Sequence, residues 1–210
     1  MYHTCGLKTD GTAACWGDNN FGQLNNVPAD SLTAITAGGI HTCALRTNGA
    51  LTCWGNGFLG QLLAPADVFG SRRVSAGGFH TCEVKPDGTL ACWGNNFAGR
   101  ATPPSGTFTT VSTGTLHTCG VRTDSTIACW GYNAAGETTP PNGAFAAVSA
   151  GGDYTDGYAC AIKIDGTLAC WGQNAGGRAT PPSGSFTVVS AGEFHACGLK
   201  TDSTLVCWGQ

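Results

Sequence analysis

Apolar and polar positions follow one short pattern that recurs six times along the chain. Each copy reads approximately H-T-C-x-L-x-T-D-G-T-x-x-C-W-G, two alternating segments separated by a polar turn. The first cysteines are Cys5, Cys43, Cys82, Cys119, Cys160 and Cys197. The second are Cys15, Cys53, Cys92, Cys129, Cys170 and Cys207, each ten positions later and each followed by tryptophan. A loop such as Gly94-Asn95-Asn96-Phe97-Ala98-Gly99 separates the copies, often with a Thr-Pro-Pro step after it. A β-branched run follows, for example Phe108–Ser112 or Phe186–Ser190, and predicts one further strand per repeat.

The centre of the repeat predicts its own register. Pro86-Asp87-Gly88 suits a three-residue hairpin loop, a type I turn closed by a left-handed glycine. Counting outward pairs Lys85 with Thr89, Val84 with Leu90, Glu83 with Ala91 and Cys82 with Cys92. The cysteines then fall in a non-hydrogen-bonded pair with Cα atoms about 4.5 Å apart, at the short end of what a disulfide bridges. The same count holds in all six copies. Ser125 and Ser203 replace the turn glycine, so those two turns are expected to be strained or of another type.

Alternation assigns the faces. Leu7, Leu45, Val84, Val121, Ile162 and Leu199 share the cysteine face, opposite Ala13, Leu51, Leu90, Ile127, Leu168 and Leu205. The other face carries small residues (Gly6 with Ala14, Ala161 with Ala169) and then the tryptophan. Apolar material on both faces requires cover on both, which radially packed blades supply. The expected fold is therefore all-β, a β-propeller of six repeats with three- or four-stranded blades. The expected repeat bounds are 1–33, 34–71, 72–106, 107–143, 144–184 and 185–210, within one domain.

Composition narrows the function classes. Charged residues are 11% of the chain and the net charge is −3, so the basic stripe of a nucleic-acid binder is missing. No apolar run approaches the roughly 18 residues of a membrane span. The 12 cysteines, even in number and regular in spacing, predict a disulfide framework and an extracellular or cell-surface location. By loop entropy each staple, closing about 11 residues, stabilises by roughly 3 kcal/mol at most. A reduced form would reopen zinc ligation by His-x-Cys.

The motif H-T-C-x-L-x-T-D-G-x-x-x-C-W-G-x-N-x-x-G-Q, with Gly17–Leu24 and Val189–Gly192, resembles the regulator-of-chromosome-condensation repeat over essentially the whole chain. The cysteine pairs are similar to those of its secreted bacterial members. The resemblance implies a propeller, with seven blades in relatives against six hairpins here, and it implies no particular activity. The sequence starts and stops inside a motif. The first blade is therefore expected to be incomplete, leaving an open seam or marking a piece of a longer array. Such an edge could support head-to-tail self-assembly.

Recurring His3, His41, His80, His117 and His195 read as blade structure, since a catalytic histidine needs a unique setting. No cofactor loop or calcium cage is visible, and no enzyme activity is expected. Repeat-breaking positions carry more information. Asp153, Tyr154 and Asp156 lie in an insertion of about four residues, and Tyr158 replaces the histidine. Phe21, Phe58, Phe97 and Tyr132 vary in the loop after tryptophan, and Arg100 and Arg178 vary in the column that also holds Gln23, Gln61 and Glu137. Topology gathers these at the blade end opposite the Asp-Gly turns. They either form an interface rich in aromatics and arginine, or are drifting loops packed on their neighbours.

The expected function is an extracellular scaffold that binds another protein or a glycan. The alternatives are a filament or surface-layer building block, and a lectin using Asn19, Asn96, Asn133 and Asn174.

Overall fold

The computed structural model describes residues 3–65, 70 and 73–210. The expected boundary between the second and third repeats, at 71/72, lies outside the described residues. Each repeat forms one antiparallel sheet. The first holds β1 (His3–Leu7) and β2 (Ala13–Gly17). The second holds β3 (Leu32–Ala37), β4 (His41–Arg46) and β5 (Leu51–Gly55), and the third β6 (Arg73–Ala76), β7 (His80–Val84) and β8 (Leu90–Gly94). The fourth holds β9 (Phe108–Thr113), β10 (His117–Arg122) and β11 (Ile127–Gly131). The fifth holds β12 (Phe145–Gly152), β13 (Gly157–Lys163) and β14 (Leu168–Gly172), and the sixth β15 (Phe186–Ala191), β16 (His195–Lys200) and β17 (Leu205–Gly209). Among the described residues five blades have three strands and the first has two. Strand β3 crosses the expected repeat boundary at 33/34.

The hairpin register is the one the sequence dictates. Val84 pairs with Leu90, Glu83 with Ala91 and Cys82 with Cys92, and the turn closes through Lys85 N–H to Thr89 O and Gly88 N–H to Lys85 O. All six pairs are disulfides, with Cα–Cα separations of 4.0–4.1 Å.

Ser125 and Ser203 keep the glycine turn rather than changing its type. Both adopt φ of 69°, and Ser125 N–H still bonds Arg122 O. A left-handed serine costs about 1–2 kcal/mol, part of which glycine returns as backbone entropy. Ser125→Gly and Ser203→Gly are each expected to stabilise by about 0.5–1 kcal/mol. A urea midpoint that does not rise in the double variant would show those turns to be unstrained.

Successive sheets pack face to face, the first strand of each against the first strand of the next. These inner strands are tied by hydroxyls: Ala76 N–H bonds Thr36, Thr113 N–H bonds Ser75, Ala150 N–H bonds Ser112 and Ala191 N–H bonds Ser149. Glycine turns close the same seam, with Gly39 N–H to Gly77 O, Gly78 N–H to Gly114 O and Gly152 N–H to Gly192 O. A Cβ on Gly77 would lie 2.3 Å from Gly114 O, so the sheets meet this closely only because no side chain intervenes.

Between sheets, one face carries histidine and cystine and the other carries threonine and tryptophan. His3, His41 and His80 Nε2 meet Thr42, Thr81 and Thr118 of the following sheet at 2.6–2.7 Å. Trp54, Trp93, Trp130, Trp171 and Trp208 donate their indole N–H to the carbonyls of Gln23, Gln61, Arg100, Glu137 and Arg178 in the preceding loop. Among the described residues the histidine–threonine contact stops after His80, and the tryptophan series does not include Trp16. Trp16 is 56% exposed, whereas Trp54, Trp93, Trp130 and Trp171 are 5–9% exposed. Val188 and Leu205 on the cystine face of the sixth sheet are exposed as well.

Candidate functional site: the loop face around the central opening

Each loop after tryptophan folds on its own polar groups. Asn19, Asn96, Asn133 and Asn174 use Oδ1 to accept the N–H of the residue five positions on, Leu24, Ala101, Thr138 and Ala179. Asn96 and Asn174 donate their amide protons to Thr102 and Thr180, and Asn19 donates to Asn25. These amides close turns, which leaves the lectin reading without the recurring group it relied on.

The glutamine–arginine–glutamate column points inward, and here the expectation for Arg100 and Arg178 is corrected. Each is 2% exposed. Arg100 donates from Nε to Asn95 O and from Nη1 to Thr115 O, and Arg178 does the same to Gln173 O and Glu193 O. A buried guanidinium is tolerable because backbone carbonyls on two sides satisfy its fork of donors. In the same column Gln23, Gln61 and Glu137 turn back to accept the N–H of Phe21, Leu59 and Ala135. The column anchors loops and is not a surface.

Three of the aromatic candidates do come together. Tyr154, 53% exposed on the insertion, packs on Phe79 at 5.5 Å between centroids with the rings tilted by 48°. Arg100 lies beneath, 5.4 Å from the Phe79 ring and 6.0 Å from that of Phe97. Phe97, 61% exposed, meets Tyr132 at 6.5 Å. The result is a strip of rings from the fifth sheet's insertion to the fourth sheet's loop, held from below by a buried cation. Phe21 and Phe58, on the loops of the first two sheets, stand apart from it; Phe58 is exposed and Phe21 half-buried.

The insertion is rigid by its own chemistry. Asp153 Oδ1 accepts the Thr155 N–H, the Thr155 hydroxyl and the Asp156 N–H, while Asp153 N–H bonds Asp156 O. Burial works against the Asp153 charge, but the Thr155 and Asp156 bonds and the Arg178 guanidinium hold its carboxyl below the usual range. Below it Tyr158 is fully buried, its hydroxyl on His195 O and Arg178 over its ring. Burial pushes that phenol up to about 12. Asp156 stays half-exposed beside Tyr154.

The insertion stands at the mouth of a cavity of about 240 Å³ on the propeller axis. Its wall is mostly the glycine turns at 38–39, 77–78, 114, 151–152 and 192, with His3, Thr115, Tyr154 and Glu193 at the rim. Sequence reasoning overlooked Phe79 and Glu193. The signal was present in the two columns before the histidine, Ile40, Phe79, Leu116, Gly157 and Phe194 in one and Gly39, Gly78, Thr115, Asp156 and Glu193 in the other, which vary while the following Cys position holds constant.

The architecture matches known proteins. The ectodomain of the receptor kinase CR4 from Physcomitrella patens is 27% identical and superposes with a TM-score of 0.82 over 99% of this chain. The chain spans 60% of that ectodomain's length. The CRINKLY WD40 ectodomain of the Arabidopsis thaliana receptor kinase ACR4 is 30% identical, with a TM-score of 0.77 over 99% of this chain and 76% of its own. Prp20p of Saccharomyces cerevisiae shares the fold at 16% identity, with a TM-score of 0.82 over 99% of this chain and 69% of its own. No curated protein matches in sequence. The model of the regulator of chromosome condensation (RCC1) repeat matches residues 2–23, 32–61, 72–100 and 186–210. With that repeat in four copies and its blade in all six, the chain is a member of the RCC1-repeat family of β-propellers.

Proposed function

We propose that this protein is an extracellular, non-catalytic scaffold that binds another protein through its loop face. The observation that carries the reading is the strip Tyr154–Phe79–Phe97–Tyr132. Its rings are partly solvent-exposed, and Arg100 already satisfies its own hydrogen bonds beneath them. Exposed aromatics on a rigid base are the residues that anchor protein interfaces at low entropic cost. Relatives support the class of function: Prp20p is described with binding properties toward Gsp1p and histones, and Kap60 is seen bound to yeast RCC1. The plant relatives are receptor ectodomains, and six disulfides suit the same oxidising setting.

The test places a photo-crosslinking amino acid at position 97 and, separately, at exposed Ile164 beside a hairpin turn. Exposed to the surface fraction of source cells, the variant at 97 should trap a discrete partner and the variant at 164 should not. Equal labelling at both positions would end the loop-face reading.

A second reading, self-association through the seam, rests on Trp16, Val188 and Leu205, whose faces are covered elsewhere in the series. It requires a mass above the monomer in light scattering, and a strict monomer at high concentration removes it.

A further inference from the structure

We infer that the axial cavity receives the cationic side chain of a lysine- or arginine-bearing segment on the protein partner. The inference deepens the loop-face reading and rests on it. Its first support is the placement of charge. Among the described residues Lys8, Arg46, Arg73, Lys85, Arg122, Lys163 and Lys200 all lie at the hairpin-turn end of their sheets. The loop face holds Asp18, Asp153, Asp156 and Glu193, and its two arginines are buried on backbone carbonyls. One end of the propeller is therefore mixed in sign, and among the described residues the end with the cavity presents carboxylates while its two arginines are buried.

The cavity wall selects in the same direction. Gly39, Gly78 and Gly152 N–H donate to the next sheet, and Gly38, Gly77, Gly114 and Gly192 N–H donate to their own histidine carbonyls. With those donors occupied, these glycine turns cannot cradle an anion as a ring of free amides would. The rim instead presents acceptors and a π face. His3 is 8% exposed and lines the cavity, and among the described residues its buried Nδ1 has no partner. Its Nε2 faces Thr42. In the equivalent pair Thr118 spends its hydroxyl proton on Arg100 O, so His80 Nε2 must be the donor there. The same tautomer in His3 makes Nδ1 an acceptor. Tyr154 and Glu193 complete the rim, and the exposed Tyr154 ring suits an ammonium or guanidinium. At about 240 Å³ the space is below the roughly 300–1,000 Å³ that holds a whole small molecule, and fits one long side chain.

The test titrates hexa-arginine, hexalysine and hexaglutamate into the intact, oxidised protein by calorimetry at low and high salt. Both cationic peptides should bind, more weakly in high salt, and hexaglutamate should not. Tyr154→Ala and the double variant Asp156→Asn/Glu193→Gln should each weaken binding about tenfold. The turn-end variants Asp87→Asn and Asp165→Asn should leave it unchanged, and near-ultraviolet circular dichroism should match across all of them. Failure of the cationic peptides to bind overturns the inference, as does binding that ignores the loop-face variants or drops equally in the turn-end ones. Peptide failure alongside crosslinking at position 97 would leave the scaffold reading intact. Peptide binding without that crosslink would leave a cation site on a face that is not the partner interface.

Discussion

Lowering the pH from about 7 to about 4.5 is expected to remove several kcal/mol of stability, with the steepest loss below about pH 6. His41, His80 and His117 are fully buried between sheets. Burial holds their pKa values down, to about 4 for His41 and His117 and about 3 for His80, where Arg100 and the neighbouring histidines add to the effect. In the unfolded chain each returns to about 6.5. The unfolded state therefore binds more protons between about pH 6.5 and the folded values. The contribution is complete above pH 6.5 and is lost as the pH falls through that window. Each imidazole changes the balance by about 1.4 kcal/mol per pH unit, and three titrating together approach about 4 kcal/mol per unit. Urea denaturation with disulfides intact, at steps between pH 7 and 4.5, measures this directly. A midpoint that stays level down to pH 5 would mean that the histidines are hydrated in solution. Within the set His117 is distinct: neither ring nitrogen has a partner among the described residues, because Ala159 stands where the second, third and fourth sheets place Thr42, Thr81 and Thr118. His117→Leu is accordingly expected to flatten the pH slope by about one proton and to stabilise the protein at pH 5.

Trp171→Ala should cost about 3–5 kcal/mol and Trp16→Ala less than about 1, although both occupy the same place in the repeat. Trp171 is 8% exposed, packs with Cys119, Phe145, Val148, Ala159 and Ala161, and donates its indole N–H to Glu137 O. Its removal leaves a cavity between two sheets and an unpaired carbonyl. Trp16 is 56% exposed. Paired urea titrations decide the matter. Equal losses would show that Trp16 is covered in solution, which would favour the self-association reading over the isolated scaffold.

Much of the fold was legible because its determinants are local. A spacing of ten positions between cysteines, with a three-residue turn centred between them, leaves one antiparallel register, and all six hairpins adopt it. Face assignment followed from alternation alone, as Trp54 and Cys43 illustrate on opposite sides of one sheet. The site was harder to read. Arg100 and Arg178 looked like variable surface residues because a linear pattern cannot show that carbonyls 5 positions before and 15 positions after would converge on each guanidinium. The asparagine column read equally well as a turn-former or as a repeated sugar-binding group, because its partner N–H, five residues ahead, becomes a partner only once the loop is bent.

Local chemistry in the chain determined strand, turn and bridge, since each depends on residues no more than ten apart. Tertiary packing decided which equivalent positions are equivalent in burial: Trp16 and Trp171 share a motif but not a neighbour. It also carried Tyr154 from the fifth sheet onto Phe79 of the third, past the fourth sheet between them. Only packing the sheets around a common axis brings such distant turns together, because burial and ring stacking depend on neighbours in space rather than on neighbours in sequence.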